Sequence, residues 1–427
     1  MKRRTFFKSL AGSLAGLGLW PAVNRTLAAQ LDKLSSDLEN AADPALFWQH
    51  VRDQSMLREG LVHLNTASLG ATPRPIVDAL TAYIREVETD PVHTVWGALG
   101  EQAELVRQRA ADFLGAATEE IILTRNTTEG MNLVAAGLDL KIGDEILTTT
   151  HEHGGGMVGW ENVAARFGVR IVQIRMPAPV KSGQQILNLV EAHITPRTRV
   201  CSFSHVETIT GLQMPMADIA GLTRPKGILL VCDGAQAPGM LDVNVHSLGV
   251  DTYASSSHKW MLAPKGSGLL YIRKAVQDRI RPAFLHHGYR AYSGSSGTRN
   301  VPQFLGHGVA MDFHNIIGRR RVEQRCRALS GYLRRRMRDS TGYRLLAPAA
   351  GTLSSGITTY ALPSGRCGDI AARLYKEHNV VIKPVAATYV VSGGIASDNY
   401  NAVRISTHIY NTEAEIDRAC DLLERMV

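Results

Sequence analysis

The stretch GILLVCDGAQAP, residues 227–238, decides the fold. Its apolar run, residues 228–232, has no polar interruption and is bracketed by Gly227 and Gly234. A run that short and that continuously apolar reads as a strand buried on both faces, the kind found inside a parallel sheet. Asp233 closes the strand with a carboxylate, at the edge where open α/β sheets gather their ligands.

Outward from that strand the pattern repeats. EEIILTRN (119–126), EILTTTHEH (145–153), VRIVQIRM (169–176), TRVCSFSHV (198–206), DTYASSSHK (251–259) and GSGLLYIR (266–273) read as further strands. TTEGMNLVAAGL (127–138), GGMVGWENVAARFG (155–168), QQILNLVEAHIT (184–195) and MPMADIAGLTRP (214–225) read as helices between them. The alternation predicts an α/β fold with a mostly parallel seven-stranded sheet covered by helices. The texture changes near Asp312, where an arginine-rich helical stretch precedes GITTYALP, DIAARLYKEHN, VVIKPV, AVRIST and TEAEIDRACDLLERM. The expected division is an N-terminal helical segment over 30–62, a large domain over 63–311 and a small C-terminal α+β domain over 312–427.

The first 29 residues stand apart. In MKRRTFFKSLAGSLAGLGLWPAV basic residues precede an apolar run, and small residues follow at Ala28 and Ala29. This is the order of a secretory signal, with a run too short and glycine-rich for a stable membrane span. KRRTFFK, with Arg3 and Arg4, resembles a twin-arginine export signal, so export by that machinery to the periplasm is expected, with cleavage near Ala28 or Ala29. The formal net charge of +8 owes five positive charges to this segment, which carries no acid. Without them 42 basic residues face 39 acidic ones, which gives no electrostatic footprint for nucleic acid. The five cysteines are scattered with no CxxC pair, so neither a zinc site nor a disulfide framework is suggested.

Four motifs carry chemistry. In SSSHKW (255–260) Lys259 follows an apolar strand; desolvation there lowers an amine's pKa and makes it a Schiff-base nucleophile, although a lysine after a strand is often only surface. In CDGAQAP Asp233 can pair with a pyridine nitrogen and Gln236 can donate to a ring oxygen; an ordinary Asp-Gly turn is the alternative. In TRNTTEGMN (124–132) Asn126 or Thr127 can cap a helix whose free N–H groups bind phosphate, with Thr128 adding a hydroxyl; a plain cap is the alternative. In THEHGGGMVGW (150–160) His151 and His153 lie two apart, on one face of a strand end, so either a metal or an imidazole stacked on a cofactor ring fits.

Together the four motifs resemble the class V aminotransferase family of fold-type I pyridoxal-phosphate (PLP) enzymes, which includes cysteine desulfurases and isopenicillin N epimerase. The resemblance spans HLNTASLGATP (63–73) to VRISTHIYNTEAEID (403–417). It implies pyridoxal 5′-phosphate as cofactor and an amino-acid-like substrate, with Lys259 as the Schiff-base lysine, Asp233 as the acid on the pyridine nitrogen, Gln236 as the ring-oxygen partner and His153 as the stacked histidine. It implies Thr127, Thr128, Ser256 and His258 around the phosphate, and Thr298 as a phosphate contact from a second subunit, hence a homodimer with shared sites. Arg404 corresponds to the arginine that grips a substrate carboxylate, while Asn65, Ala67 and Ser68 line the substrate pocket. Desulfurases of this family carry a nucleophilic cysteine in the loop before that arginine; residues 384–403 contain none. TGLQMP (210–215), with Thr208 before it where desulfurases have asparagine, looks more like the epimerase branch. The expected reaction is therefore at the Cα of an amino acid, epimerase-like or aminotransferase. A PLP-dependent lyase and a non-catalytic exported binding protein are the competing readings.

Overall fold

The computed structural model describes residues 22–281, 298–349, 351–391 and 394–426. A short strand, β1 (Val62–His63), precedes seven that form the central sheet: β2 (Ile121–Thr124), β3 (Glu145–Thr149), β4 (Arg170–Ile174), β5 (Thr198–Ser204), β6 (Leu229–Asp233), β7 (Thr252–Ser256) and β8 (Gly268–Ile272). Their spatial order is β2-β8-β7-β6-β5-β3-β4, and only β8 runs antiparallel to its neighbours. The sheet is the fold-type I arrangement expected, with every strand expected from the sequence present.

The period of two in a strand sorts the apolar side chains onto two faces. Leu230, Cys232, Phe203, Tyr253 and Leu269 enter one core; Leu229, Val231, Val200, Ala254 and Leu270 enter the other. The second face is covered by helices Thr127–Gly137 and Gly154–Phe167 through Met131, Val134, Met157 and Trp160. Asp233 shares the parity of Val231, which turns its carboxylate toward those same two helices. The loops after β2, β3, β5, β6 and β7 all leave the same edge, so every polar motif converges there.

Three helices escape the sequence reading. They are Arg74–Thr89, Leu99–Leu114 and Val301–Ile317, and the last packs against both of the others over the first face. The division expected between 311 and 312 falls inside the last of them, and the chain passes to the smaller unit at Gly318. That unit is an antiparallel sheet of β9 (Arg344–Leu345), β10 (Ile357–Ala361), β12 (Lys383–Ala387) and β13 (Asn399–Ser406), backed by helices Arg319–Arg336, Cys367–His378 and Glu413–Met426. β1 pairs with β11 (Val380–Val381), and Asn65 bridges to Ser406, so the chain before the large unit is stitched to the small one.

The N-terminal helical segment expected over 30–62 has helices Ala22–Glu39 and Pro44–Arg52, the first starting before residue 30 and running through Ala28 and Ala29. Residues 1–21, with most of the expected export signal, lie outside the described residues. The arginine-rich helix docks against other segments of the chain: Arg321 and Arg325 lie over the Phe47 and Trp48 rings at 5.0 and 5.5 Å, and Arg336 bonds Asp421 and Glu424. No helix among the described residues is long and apolar enough to cross a membrane.

Candidate active site

A cleft of about 580 Å³ opens at the carboxyl edge of the sheet. Ala67, Ser68, Thr127, Thr128, His153, Asp233, Gln236, Ser256, His258, Lys259 and Arg404 all line it, so eleven residues expected at the site share one cleft. Asn65 stands behind Arg404, whereas Thr298 is exposed and outside the wall.

Lys259 sits at the floor. Burial draws its amine down to about 8, against the pull of Asp233, which favours the charged form, and with a small push from Arg404. In cofactor-free protein the amine should gain reactivity toward an aldehyde as pH rises through about 8 and level off above it, because the neutral form is the nucleophile. The rate of imine formation against pH checks this; a rise continuing to the ordinary 10.5 would contradict a desolvated amine.

Asp233 ends β6 fully enclosed. Burial raises its carboxyl, while the Ala235 N–H, Lys259 and His153 oppose that rise. Its Oδ1 accepts from the Ala235 N–H at 2.9 Å, which leaves Oδ2 as the acceptor for a protonated ring nitrogen. Gly156, on the facing helix, comes so close that a Cβ there would stand 2.7 Å from Oδ2. Gly156→Ala should therefore displace the carboxylate and weaken cofactor affinity on the order of tenfold, since overpacking of this kind typically costs about 1–3 kcal/mol. Equilibrium titration with the cofactor measures it, and unchanged affinity would contradict the close approach.

At the other end of the cleft, Asn126 caps helix Thr127–Gly137 by accepting from the Glu129 N–H at 2.9 Å. The Thr127 N–H and Oγ1 both meet Ser256 Oγ at 2.9 Å, tying β7 to the helix start. Burial lowers His258 to about 4, so its ring is neutral, and its Nδ1 has no partner among the described residues. Helix N–H groups, hydroxyls and an unsatisfied ring nitrogen form a phosphate cradle.

Arg404, buried on β13, donates from Nη1 to the Thr208 carbonyl (2.9 Å) and Oγ1 (2.6 Å), and from Nη2 to Asn65 Oδ1 (3.2 Å) and Ser68 Oγ (2.9 Å). Its Nε has no partner, and no carboxylate pairs with it among the described residues. A buried guanidinium held only by neutral oxygens suits the capture of a ligand carboxylate.

One expectation changes. His151 and His153 do not share a face, because β3 ends at Thr149. His151 turns inward, with Nδ1 2.7 Å from Glu207 Oε2 and Nε2 2.9 Å from the Tyr400 hydroxyl. His153 opens to the cleft and caps the next helix, its Nδ1 accepting the Gly155 N–H at 3.0 Å. The described residues hold no cluster of three metal-ligating side chains. Gln236 lines the cleft; its Nε2 donates to the Ala67 carbonyl at 2.9 Å and, at 3.4 Å, to Thr208 Oγ1, and its Oε1 accepts from Trp260 Nε1 at 2.7 Å. It anchors the N-terminal loop, which lies so tightly on the lysine's backbone that a Cβ at Gly70 would meet the Lys259 carbonyl at 2.0 Å.

Glu152, Thr208 and Lys383 join the cleft without having been assigned roles from sequence. Burial lifts the Glu152 carboxyl to about 8 despite hydrogen bonds from Ser204 and Thr149. Near neutral pH it is therefore protonated, leaving Asp233 as the acid that meets the ring.

The chain matches the family described as aminotransferase class-V over residues 62–419. It belongs to that family. Among relatives, isopenicillin N epimerase of Amycolatopsis lactamdurans is 32% identical over 90% of this chain and 99% of its own length. The Streptomyces clavuligerus epimerase is 30% identical over 89% and 98%, and a probable cysteine desulfurase of Methanothermobacter thermautotrophicus (strain Delta H) is 27% identical over 88% and 96%. The apo structure of cysteine desulfurase from Thermococcus onnurineus NA1 superposes with a TM-score of 0.78 at 25% identity, covering 89% of this chain and 98% of that one. A C-DES mutant with glycine covalently linked to its PLP cofactor shares the fold, with a TM-score of 0.78 at 23% identity over 87% and 98%.

Pyridoxal 5′-phosphate is the cofactor this class V family implies, and the residues fit it. The bare backbone of Gly155 and Gly156 keeps space that a Cβ would fill, 2.6 Å from Thr128 Oγ1 in the first case. The orphaned His258 Nδ1, the enclosed Asp233 and the desolvated Lys259 match phosphate, ring nitrogen and aldehyde in turn.

Proposed function

We propose that this class V enzyme uses PLP to act at the Cα of an amino acid or small peptide with a free α-amino group, as an epimerase-like enzyme or an aminotransferase. The observation that carries the reading is the placement of a desolvated Lys259, an enclosed Asp233 and an acid-free Arg404 in one cleft. When bound, PLP supplies an electron sink that weakens a bond at the substrate Cα. Asp233 holds negative charge at the ring nitrogen. Arg404, with Asn65 and Ser68, fixes the substrate carboxylate and so chooses the bond aligned for cleavage. Lys259, once its amine is displaced, takes and returns the Cα proton.

The epimerase-like lean draws support from the cysteines. All five are buried, and none lines the cleft, so a persulfide-forming nucleophile is missing. A β-eliminating lyase, which needs no such thiol, is the second reading. Further parts of the proposal are a homodimer in which the exposed Thr298 serves the neighbouring site, and export by the twin-arginine route to the periplasm, supported by Arg3 and Arg4 before an apolar run.

The test is incubation of the holoenzyme in heavy water with individual L- and D-amino acids and short peptides, followed by NMR. Loss of the Cα-proton signal is expected, and the configuration of the product separates epimerisation from transamination and elimination. A cofactor-loaded enzyme that exchanges no Cα proton in any of them would overturn the reading.

A further inference from the structure

We infer that the cleft is built for a substrate with two anionic groups, one held by Arg404 and a second, carboxylate-like group held by Lys383. This rests on the reading above for the identity of the first group as an α-carboxylate. Lys383 stands directly opposite Arg404 in the antiparallel register of β12 and β13. Side chains so paired share a face with Cβ atoms about 5 Å apart, and like charges placed that way destabilise a sheet. Both line the cleft.

Neither cation is neutralised. The four Nη hydrogens of Arg404 go to neutral oxygens of Thr208, Asn65 and Ser68. Lys383 makes no ion pair or hydrogen bond within the described residues. The acids of the cleft are otherwise engaged: Glu152 is enclosed by Ser204 and Thr149, and Asp233 faces the ring nitrogen. Nor does Lys383 belong to the phosphate cradle. Its charge acts on His153, whereas His258, at the phosphate end, feels Lys259 and Lys265. Two cations left side by side on the substrate wall thus match a dianion reaching from Arg404 along β12.

Calorimetric titration of the holoenzyme with glutarate and with butyrate reads this without turnover, because glutarate offers two carboxylates and no amine. Glutarate should bind at least about tenfold more tightly than butyrate, as expected for one added charge-assisted contact. Lys383→Gln should erase that difference while leaving butyrate binding and cofactor absorbance unchanged, and Lys383→Arg should restore it. Equal binding of the two acids by the unaltered enzyme, or a glutarate preference that survives Lys383→Gln, would overturn the inference. Failure of the cofactor reading would show separately, as absent cofactor absorbance in protein that still prefers glutarate.

Discussion

Lys259→Ala is expected to lower Cα-proton exchange by at least about 10³-fold, in the upper part of the range for a positioned general base. Two losses combine in this one side chain. The cofactor loses its covalent tether, and the proton removed from Cα loses its carrier. The fold should not suffer, because burial disfavours the charged amine and its removal relieves a desolvation cost. Thermal unfolding at or above the parent temperature, together with lost exchange, would therefore mark a chemical defect and not a structural one. Partial rescue by a small added amine would locate that defect at the missing nitrogen. An alanine variant that exchanges at the parental rate would remove Lys259 from the reaction.

Asp233→Asn should cost on the order of 10²–10³-fold in the same exchange, the scale seen when a preorganised electrostatic contact to a developing charge is lost. The substitution keeps size and shape and removes only the negative charge. The amide oxygen of the variant could still accept the Ala235 N–H that Asp233 Oδ1 takes at 2.9 Å, so the turn should persist. What changes is the ring nitrogen, which no longer finds an anion to keep it protonated. Glu152 cannot substitute, because burial holds it protonated up to about 8. The effect should appear as a fall in kcat with a smaller change in KM, since the charge matters most when electrons move into the ring. An asparagine variant with unchanged kcat would show that Asp233 serves only the turn.

How much of this was legible follows from the kind of signal each residue gives. The central strand was readable because a two-sided buried strand is a short unbroken apolar run, as in residues 228–232; the other six are shorter or interrupted runs that show by their recurrence between amphipathic stretches. Helix Val301–Ile317 was not, because almost every residue in it is buried, leaving no polar face to set a period, and Gly306 and Gly308 weigh against a helix interior. Helices Arg74–Thr89 and Leu99–Leu114 do carry an apolar face, through Ile76, Ala79 and Tyr83 in one and Val106, Ala110 and Phe113 in the other, and that helical period went unread.

The site divides in the same way. Lys259, Asp233 and the turn at Thr127 and Thr128 each follow a strand end, a local feature visible in sequence. Thr208 and Glu152 acquire meaning only through partners farther along the chain, such as Arg404, 196 residues from Thr208, and Lys383 only through the register that sets it opposite Arg404. His151 misled for a related reason. Its side chain had a local role to offer, but Glu207 claims it across the fold.

The central claim is that Lys259 carries the cofactor. The most direct measurement is borohydride reduction of protein reconstituted with pyridoxal phosphate, followed by digestion and mass spectrometry of the modified peptide. A single pyridoxyl group on Lys259, absent from the Lys259→Ala variant, is the expected result. Modification at Lys265 or Lys383 instead, or no retained group after reduction, would contradict the account.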